Sequence, residues 1–300
     1  MFLSCLCLTA ASACDVCGCS AGGNYFGVLP NFKKNYLGMR FYQRSFQTLH
    51  PPTIIESLKG TSSNENFNTS EIWGRYYVTP KIMAMAFLPF NSFSIVENKT
   101  NTISKVKGLG DVMVMANYIV FETIDSSAKN WKHNLLLGGG IKLPTGNFVS
   151  EKQDEILNPN LQCGTGSLDY IINGNYAAKY KNIGFSLESS FRINNQNNSQ
   201  FQFGNRTTNS AKFFYWMAKK RVSLVPSAGI IHEVANKDRH NKIQQKYSGG
   251  QATYTAFGAD LYWRNIFVAC NFQSPVHQNI SQGFVTSNNR YLISINYILK

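Results

Sequence analysis

After residue 20 the sequence has no stretch approaching the roughly 20 consecutive apolar residues that a membrane-spanning helix requires, which excludes a helical membrane protein. It has no dense basic run either. Lys and Arg number 29 against 16 Asp and Glu, a formal net charge of +13, yet no cluster is longer than Lys219, Lys220 and Arg221. Nucleic-acid binding needs a concentrated basic footprint, so no nucleic-acid partner is expected. Cysteine is sparse, seven in 300 residues.

The first thirteen residues, MFLSCLCLTAASA, have the apolar core and small-residue end of a secretory signal, with Ala11 and Ala13 at the A-x-A positions, but lack its charged start. Residues 1–13 therefore read as a signal peptide whose beginning is atypical or truncated. Export to a disulfide-permissive compartment follows. Removal of Cys5 and Cys7 leaves Cys14, Cys17, Cys19, Cys163 and Cys270, too few and too oddly numbered for a disulfide scaffold.

What the sequence does have is a period of two. In 183–194, Ile183, Phe185, Leu187, Phe191 and Ile193 alternate with Gly184, Ser186, Glu188, Ser190, Arg192 and Asn194. In the preceding segment, Leu168, Tyr170, Ile172, Tyr176 and Tyr180 oppose Asp169, Asn173, Asn175 and Lys179. Only Lys181 and Asn182 lie between, which predicts a tight hairpin. Ten further strands are expected near 35–48, 70–79, 81–93, 109–122, 132–143, 210–219, 221–233, 251–263, 265–275 and 289–299, which makes twelve. Their connections alternate between short, as at 79–81, 122–131, 181–182, 220 and 264–265, and long, at 49–70, 94–108, 144–166, 195–209, 234–250 and 276–288.

That alternation predicts an all-β fold, a transmembrane antiparallel β-barrel of about 12 strands with short periplasmic turns and long extracellular loops. Closure leaves no unpaired backbone edge in lipid. A soluble sandwich or lipocalin-like barrel also alternates. Against it stand continuous apolar rows such as Phe257, Ala259, Leu261, Trp263 and Tyr291, Ile293, Ile295, Tyr297, Leu299, which suit a lipid band bordered by interfacial aromatics. The opposite faces carry charges of both signs, which a soluble core would not bury. The expected organisation is a Cys-containing periplasmic or plug segment at 14–34 and an outer-membrane barrel at 35–300, in a Gram-negative bacterium, with both termini periplasmic.

The polar faces assign Arg40, Arg44, Glu71, Arg75, Asp111, Lys132, Lys142, Asp169, Lys179, Glu188, Arg192 and Asp260 to the lumen. Twelve strands enclose a bore between small, filled barrels and wide aqueous porins. Mixed charges across it read either as an internal ion-pair network or as a narrow polar passage, and the two are compatible.

Three glycine-bearing stretches carry a resemblance: GLGD at 108–111, GGGIKLPTGN at 138–147 and CGTGSLDYIINGNYAAKY at 163–180. They resemble the outer-membrane barrels of the meta-pathway phenol-degradation family, over roughly residues 105–195. The matching positions are Gly108, Gly110, Asp111, Lys142, Pro144, Thr145, Gly146, Gly164, Thr165 and Gly166. The resemblance implies a passive channel or uptake barrel for small, often hydrophobic or aromatic solutes, with no catalytic residues. In this chain Pro144 reads as ending ladder pairing, and the glycines as permitting sharp turns at the rim.

Two other classes compete. A lipid-modifying outer-membrane enzyme would pair Ser with His, but the spacing of His50, His133, His232, His240 and His277 reveals no such constellation, and an enzyme is not expected. A metal-handling protein would use the CDVCGCS stretch at 14–20, where Cys14, Cys17 and Cys19 stand at C-x-x-C-x-C spacing. Thiolates at that spacing suit copper or, with a fourth ligand, zinc. A disulfide within the motif ranks ahead of the metal, and a lipid anchor on Cys14 behind it. No cofactor is otherwise expected, the partners are the outer-membrane bilayer and a small solute, and the sequence leaves the oligomeric state open.

Overall fold

A computed structural model describes residues 34–50, 61–123, 131–148, 151–152, 155–156, 159–219 and 221–299. The expected signal segment 1–13, almost all of the 14–34 segment, and Cys14, Cys17 and Cys19 lie outside the described residues.

Twelve strands form the wall: β1 (Tyr36–His50), β2 (Thr61–Thr79), β3 (Ile82–Glu97), β4 (Ile103–Leu109 and Met113–Glu122), β5 (Trp131–Lys142), β6 (Asp169–Tyr180), β7 (Ile183–Ile193), β8 (Arg206–Tyr215 and Met217–Lys219), β9 (Val222–Ala235), β10 (Gly250–Trp263), β11 (Ile266–Ile280) and β12 (Val285–Ser287 and Arg290–Ile298). Each pairs antiparallel with its neighbours in sequence, and β12 closes on β1 from Tyr36↔Ile298 to Gln43↔Tyr291. Closure satisfies the backbone of every strand within the wall, as a bilayer demands. Among the described residues no helix is long and apolar enough to cross a membrane.

The alternation lies where the sequence puts it. Along β1 the side chains of Tyr36, Arg40, Arg44, Phe46 and Thr48 are buried inside, while Leu37, Met39 and Phe41 are exposed outside. Tyr76, Tyr118, Trp131, Tyr180, Tyr215, Trp263 and Tyr297 gather outside, near the end of the barrel that carries Tyr36 and Ile298, here the terminal rim. Trp131 and Tyr180 sit 5.0 Å apart there. This is the aromatic girdle expected at a membrane interface. The hairpins at 181–182 and 264–265 are two residues long and hold Lys181 and Arg264 at positive φ, as tight hairpin turns require.

The strands are longer at the opposite, loop rim than alternation indicates. Much of the expected long connections at 49–70, 94–108, 195–209 and 276–288 is strand: β2 begins at Thr61, β3 reaches Glu97, β4 begins at Ile103, β8 at Arg206, and β11 reaches Ile280. The β3–β4 connection shrinks to 98–102, so the long connection expected at 94–108 is a short one. Beyond the lipid band both faces of a strand meet water or polar side chains, and the apolar period that marks a strand disappears while its ladder continues.

Inside, the barrel is layered. An apolar cluster of Tyr36, Trp73, Met83, Met85, Phe87, Met113, Met115, Ile171 and Phe267 fills the terminal half. A second, with Phe46, Phe67, Phe93, Ile231, Tyr254, Ile280 and Val285, lies toward the loop rim. The sequence reading did not anticipate this much apolar interior. A charged and amide-rich zone between and beside the two includes Arg40, Glu71, Asn117, Asn173, Lys212, Asp260, Asn271 and Asn296, all buried.

Candidate functional site

The side chains of Arg40, Arg44, Glu71, Arg75, Asp111, Lys142, Asp169, Arg192 and Asp260 are buried on the interior side, and Lys132, Lys179 and Glu188 are on the same side but less enclosed. They do not form one site. Register divides them into three groups.

The first is at the terminal half. Arg40 is ion-paired to Glu71 and sits between two rings, 4.9 Å from the centroid of Trp73 and 5.1 Å from that of Phe87. Arg75 lies over Tyr36 at 4.6 Å, and Lys179 over Trp216 at 5.1 Å. Aromatic faces attract cations, so these charges are absorbed into the packing of the wall.

The second group unites the three glycine-bearing stretches. Lys142 Nζ, at the end of β5, donates to Asp111 Oδ2 at 2.7 Å and to the Ser167 carbonyl at 3.0 Å, approaches Asp169 Oδ2 at 2.9 Å, and also donates to Thr165 Oγ1. Asp111 accepts in addition from the backbone N–H groups of Gly146 and Thr165, each at 2.9 Å. Asp169 accepts from Ser167 Oγ and from the Asn195 N–H, both at 2.9 Å. A single buried ammonium thus ties the interrupted strand β4 to the connection that follows β5. Gly146 and Gly164 are here for closeness rather than turning: a Cβ on Gly146 would stand 2.7 Å from Gly164 Cα, and one on Gly164 would stand 2.6 Å from the Gly146 backbone. Only Gly166 of this group has positive φ. The expectation that these glycines serve sharp turns is corrected accordingly, since two crossing backbones need them.

The third group is arginine-rich and near the loop rim. On β7 and β8, Arg192 and Arg206 are direct cross-strand partners on the interior face. On β1 and β12 the ladder ends at Gln43↔Tyr291, which puts Arg44 beside Arg290. Arg290 Nη1 grips Glu233 at 2.9 and 3.0 Å and stacks 3.9 Å over Tyr254. Arg44 has no comparable carboxylate bond: it lies 4.9 Å over Tyr42, and its Nε and Nη1 are buried with no hydrogen-bond partner among the described residues. The same holds for Nε of Arg206. Next to this layer is a cavity of about 30 Å³ lined by Tyr42, Glu188, Ser190, Thr208, Ser210, Lys212, Ile231, Glu233, Gln273 and Leu292, with room for about a water or two. It reaches from β1, β11 and β12 across to β7, β8 and β9, and therefore spans the bore.

Arg206, Glu233, Lys212 and Arg290 were not among the sequence candidates. Arg290 had a readable signal, because it precedes the apolar row that starts at Tyr291 and must face the other way. Arg206 had none, as it lies in what reads as a polar loop.

The histidines hold one contact that spacing did not reveal. His50 Nε2 is 3.0 Å from Ser63 Oγ, and that hydroxyl lies 3.4 Å from Glu65 Oε1. Ser63 is fully buried inside the wall, so it offers no nucleophile to a lipid substrate. Among the described residues no group of three His, Cys, Asp or Glu side chains is placed to hold a metal ion. Cys163 is buried in the connection after β5, where burial pushes its thiol pKa up, and Cys270 is exposed on the outer face.

No family model and no curated protein matches the sequence. Among solved structures the chain is similar to an outer membrane channel from Pseudomonas putida F1, at 14% identity over 92% of this chain and 98% of that one, with a TM-score of 0.64. The translocator domain of the autotransporter NalP from Neisseria meningitidis aligns at 11% identity over 90% of each chain, TM-score 0.45. The NanC porin aligns at 12% identity over 87% of this chain and all of that one, TM-score 0.42. At such identities the likeness concerns the fold, and the Pseudomonas structure carries it: the chain has the architecture of an outer-membrane β-barrel channel, the fold that the glycine-bearing stretches implied.

Proposed function

We propose that this protein is an outer-membrane channel through which small solutes pass by passive diffusion. The observation that carries the reading is the cavity spanning the bore between two apolar layers, with charged and hydroxyl side chains in its lining, inside a wall whose outer face is apolar and belted by aromatics. A barrel built only as an anchor would gain nothing from placing Glu188, Ser190, Thr208, Ser210, Lys212 and Gln273 around a void, since each polar group there must find a partner or water. The small size of the void favours slow, selective passage of compact solutes over bulk flow. Aromatic or hydrophobic solutes remain attractive on the strength of Trp73, Phe87 and Phe267 in the terminal half.

In this reading the terminal rim is periplasmic, residues 1–13 are removed on export, and residues 14–34 serve as a periplasmic or plug segment. Planar bilayers test the function. Discrete small conductance steps and swelling of proteoliposomes in small osmolytes are expected; a correctly folded protein giving neither overturns it. Titration of copper(I) or zinc(II) against the wild type and Cys17→Ser separates out the metal-handling reading, which falls if the two bind alike.

A further inference from the structure

We infer that the arginine layer near the loop rim is a binding site for small carboxylates, and that it makes the bore selective for anionic solutes. The inference deepens the channel reading and rests on it for the transport half of the statement, though not for the binding half.

Four guanidinium groups line this level of the bore: Arg44 and Arg290 on adjacent strands, and Arg192 and Arg206 paired directly across β7 and β8. Like charges set opposite each other across a ladder are unfavourable, and buried cations require partners. The nearby carboxylates each already hold another partner. Glu233 is held two-pronged by Arg290. Asp169 belongs to the Lys142 knot. Asp238, in the connection after β9, accepts from the Gly204 N–H at 2.7 Å through Oδ1, while its Oδ2 and Arg206 Nε are each buried with no hydrogen-bond partner among the described residues. Arg44 carries the argument furthest, being 3% exposed with Nε and Nη1 unpartnered.

Such donors suit a planar oxyanion, since guanidinium and carboxylate match in geometry and charge. The surroundings narrow the class. Tyr42, Ile231 and Leu292 give the adjoining cavity an apolar side and Ser190 and Thr208 give it hydroxyls, so a tail of about two carbons fits there with its carboxylate held outside it, at the neighbouring arginines. Glu188 and Glu233 also line it, and they disfavour polyanions.

The probes are propionate, its neutral isostere propionamide, and inorganic phosphate, titrated calorimetrically into the full chain in detergent, with folding checked by heat-modifiable migration. Saturable binding of propionate is expected, with no binding of propionamide and a loss of about tenfold or more in Arg44→Gln and in Arg206→Gln, the scale of a charge-assisted hydrogen bond. Phosphate binding as tightly as propionate would overturn the carboxylate assignment, and equal binding of propionate and propionamide would overturn the site. In bilayers under a KCl gradient, a reversal potential of anion-selective sign that moves toward zero in Arg44→Gln is expected; a cation-selective wild type overturns the selectivity claim. Propionate binding without any conductance would leave the site standing and remove the channel. Conductance without propionate binding would do the reverse.

Discussion

Two cationic regions share the loop half of the barrel and differ in one respect. Around Lys142 every ionic group is answered: one ammonium, two carboxylates, two hydroxyls and a carbonyl close on one another. In the arginine layer Arg290 is answered by a two-pronged carboxylate, while Arg44 and Arg206 keep buried nitrogens with no hydrogen-bond partner among the described residues. The difference separates charge that builds structure from charge that waits for something. A saturated ion cluster fixes a connection in place, and an unsaturated one keeps its desolvation cost in the empty state, which a ligand can relieve.

The comparison is broken most severely at the saturated side. Lys142→Met leaves Asp111 and Asp169 buried without their cation, an expected loss of about 3–5 kcal/mol. Urea denaturation in detergent measures it, and limited proteolysis should find the 159–168 stretch newly cleavable. A loss under about 1 kcal/mol would mean that the hydrogen bonds alone hold the knot. Arg290→Gln comes next. It removes the grip on Glu233 and the stacking on Tyr254, and an expected loss of about 2–4 kcal/mol follows because Glu233 is only partly exposed to water once abandoned.

Asp238 supplies a pH test of the same rim. Burial pushes its carboxyl up from 3.8 to about 6, against the opposing pull of Arg206 and the Gly204 N–H. An acid whose pKa is raised in the folded state binds its proton more tightly there. Its neutral form therefore favours folding, and stability falls as the pH rises from about 4 to about 6, where the unfolded chain ionises first. Asp238→Asn should remove that slope and be more stable than the wild type at pH 7 by about 1–3 kcal/mol. Identical pH profiles for the two proteins would mean that Arg206 pairs with Asp238 in solution, and the layer would lose one of its unanswered members.

How much of this was readable in the sequence depends on which side of the wall a residue faces. Inside the lipid band the outer face is apolar, and where the inner face of a strand is polar, as in Leu37, Met39 and Phe41 against Arg40 and Arg44, the alternation gives the facing at once; strands whose inner face is apolar too give it less clearly. The β2 start was not readable, because TSSNENFNTS at 61–70 is polar on both faces although Ser63 and Phe67 are buried within. Partner identities were not readable either. Asp111, Lys142 and Asp169 meet through the stagger of three strands, and the three glycine-bearing stretches revealed no more than that their backbones do something unusual. Arg40 and Arg44 looked alike in sequence, four residues apart on one face. One is answered by Glu71 and two rings, and the other is not, for reasons that lie on other strands.

Arg44 is where the smallest effect is expected, and for that reason the most telling. Arg44→Met deletes a buried guanidinium whose Nε and Nη1 make no hydrogen bond, and relieves its repulsion with Arg290 and Arg206. Against this stand its stacking on Tyr42, worth about 0.5–2 kcal/mol, its attraction to Glu233, and the packing of its stem, which Met largely keeps. The opposing terms nearly cancel, so stability should change by less than about 1 kcal/mol in either direction. The same exchange at Lys142 is expected to cost several times more. If both substitutions cost alike in urea titrations run side by side, Arg44 is a structural cation like Lys142, and the two regions do not differ in kind. If Arg44→Met is silent in stability while Arg44→Gln abolishes propionate binding, the barrel keeps that charge for its solute.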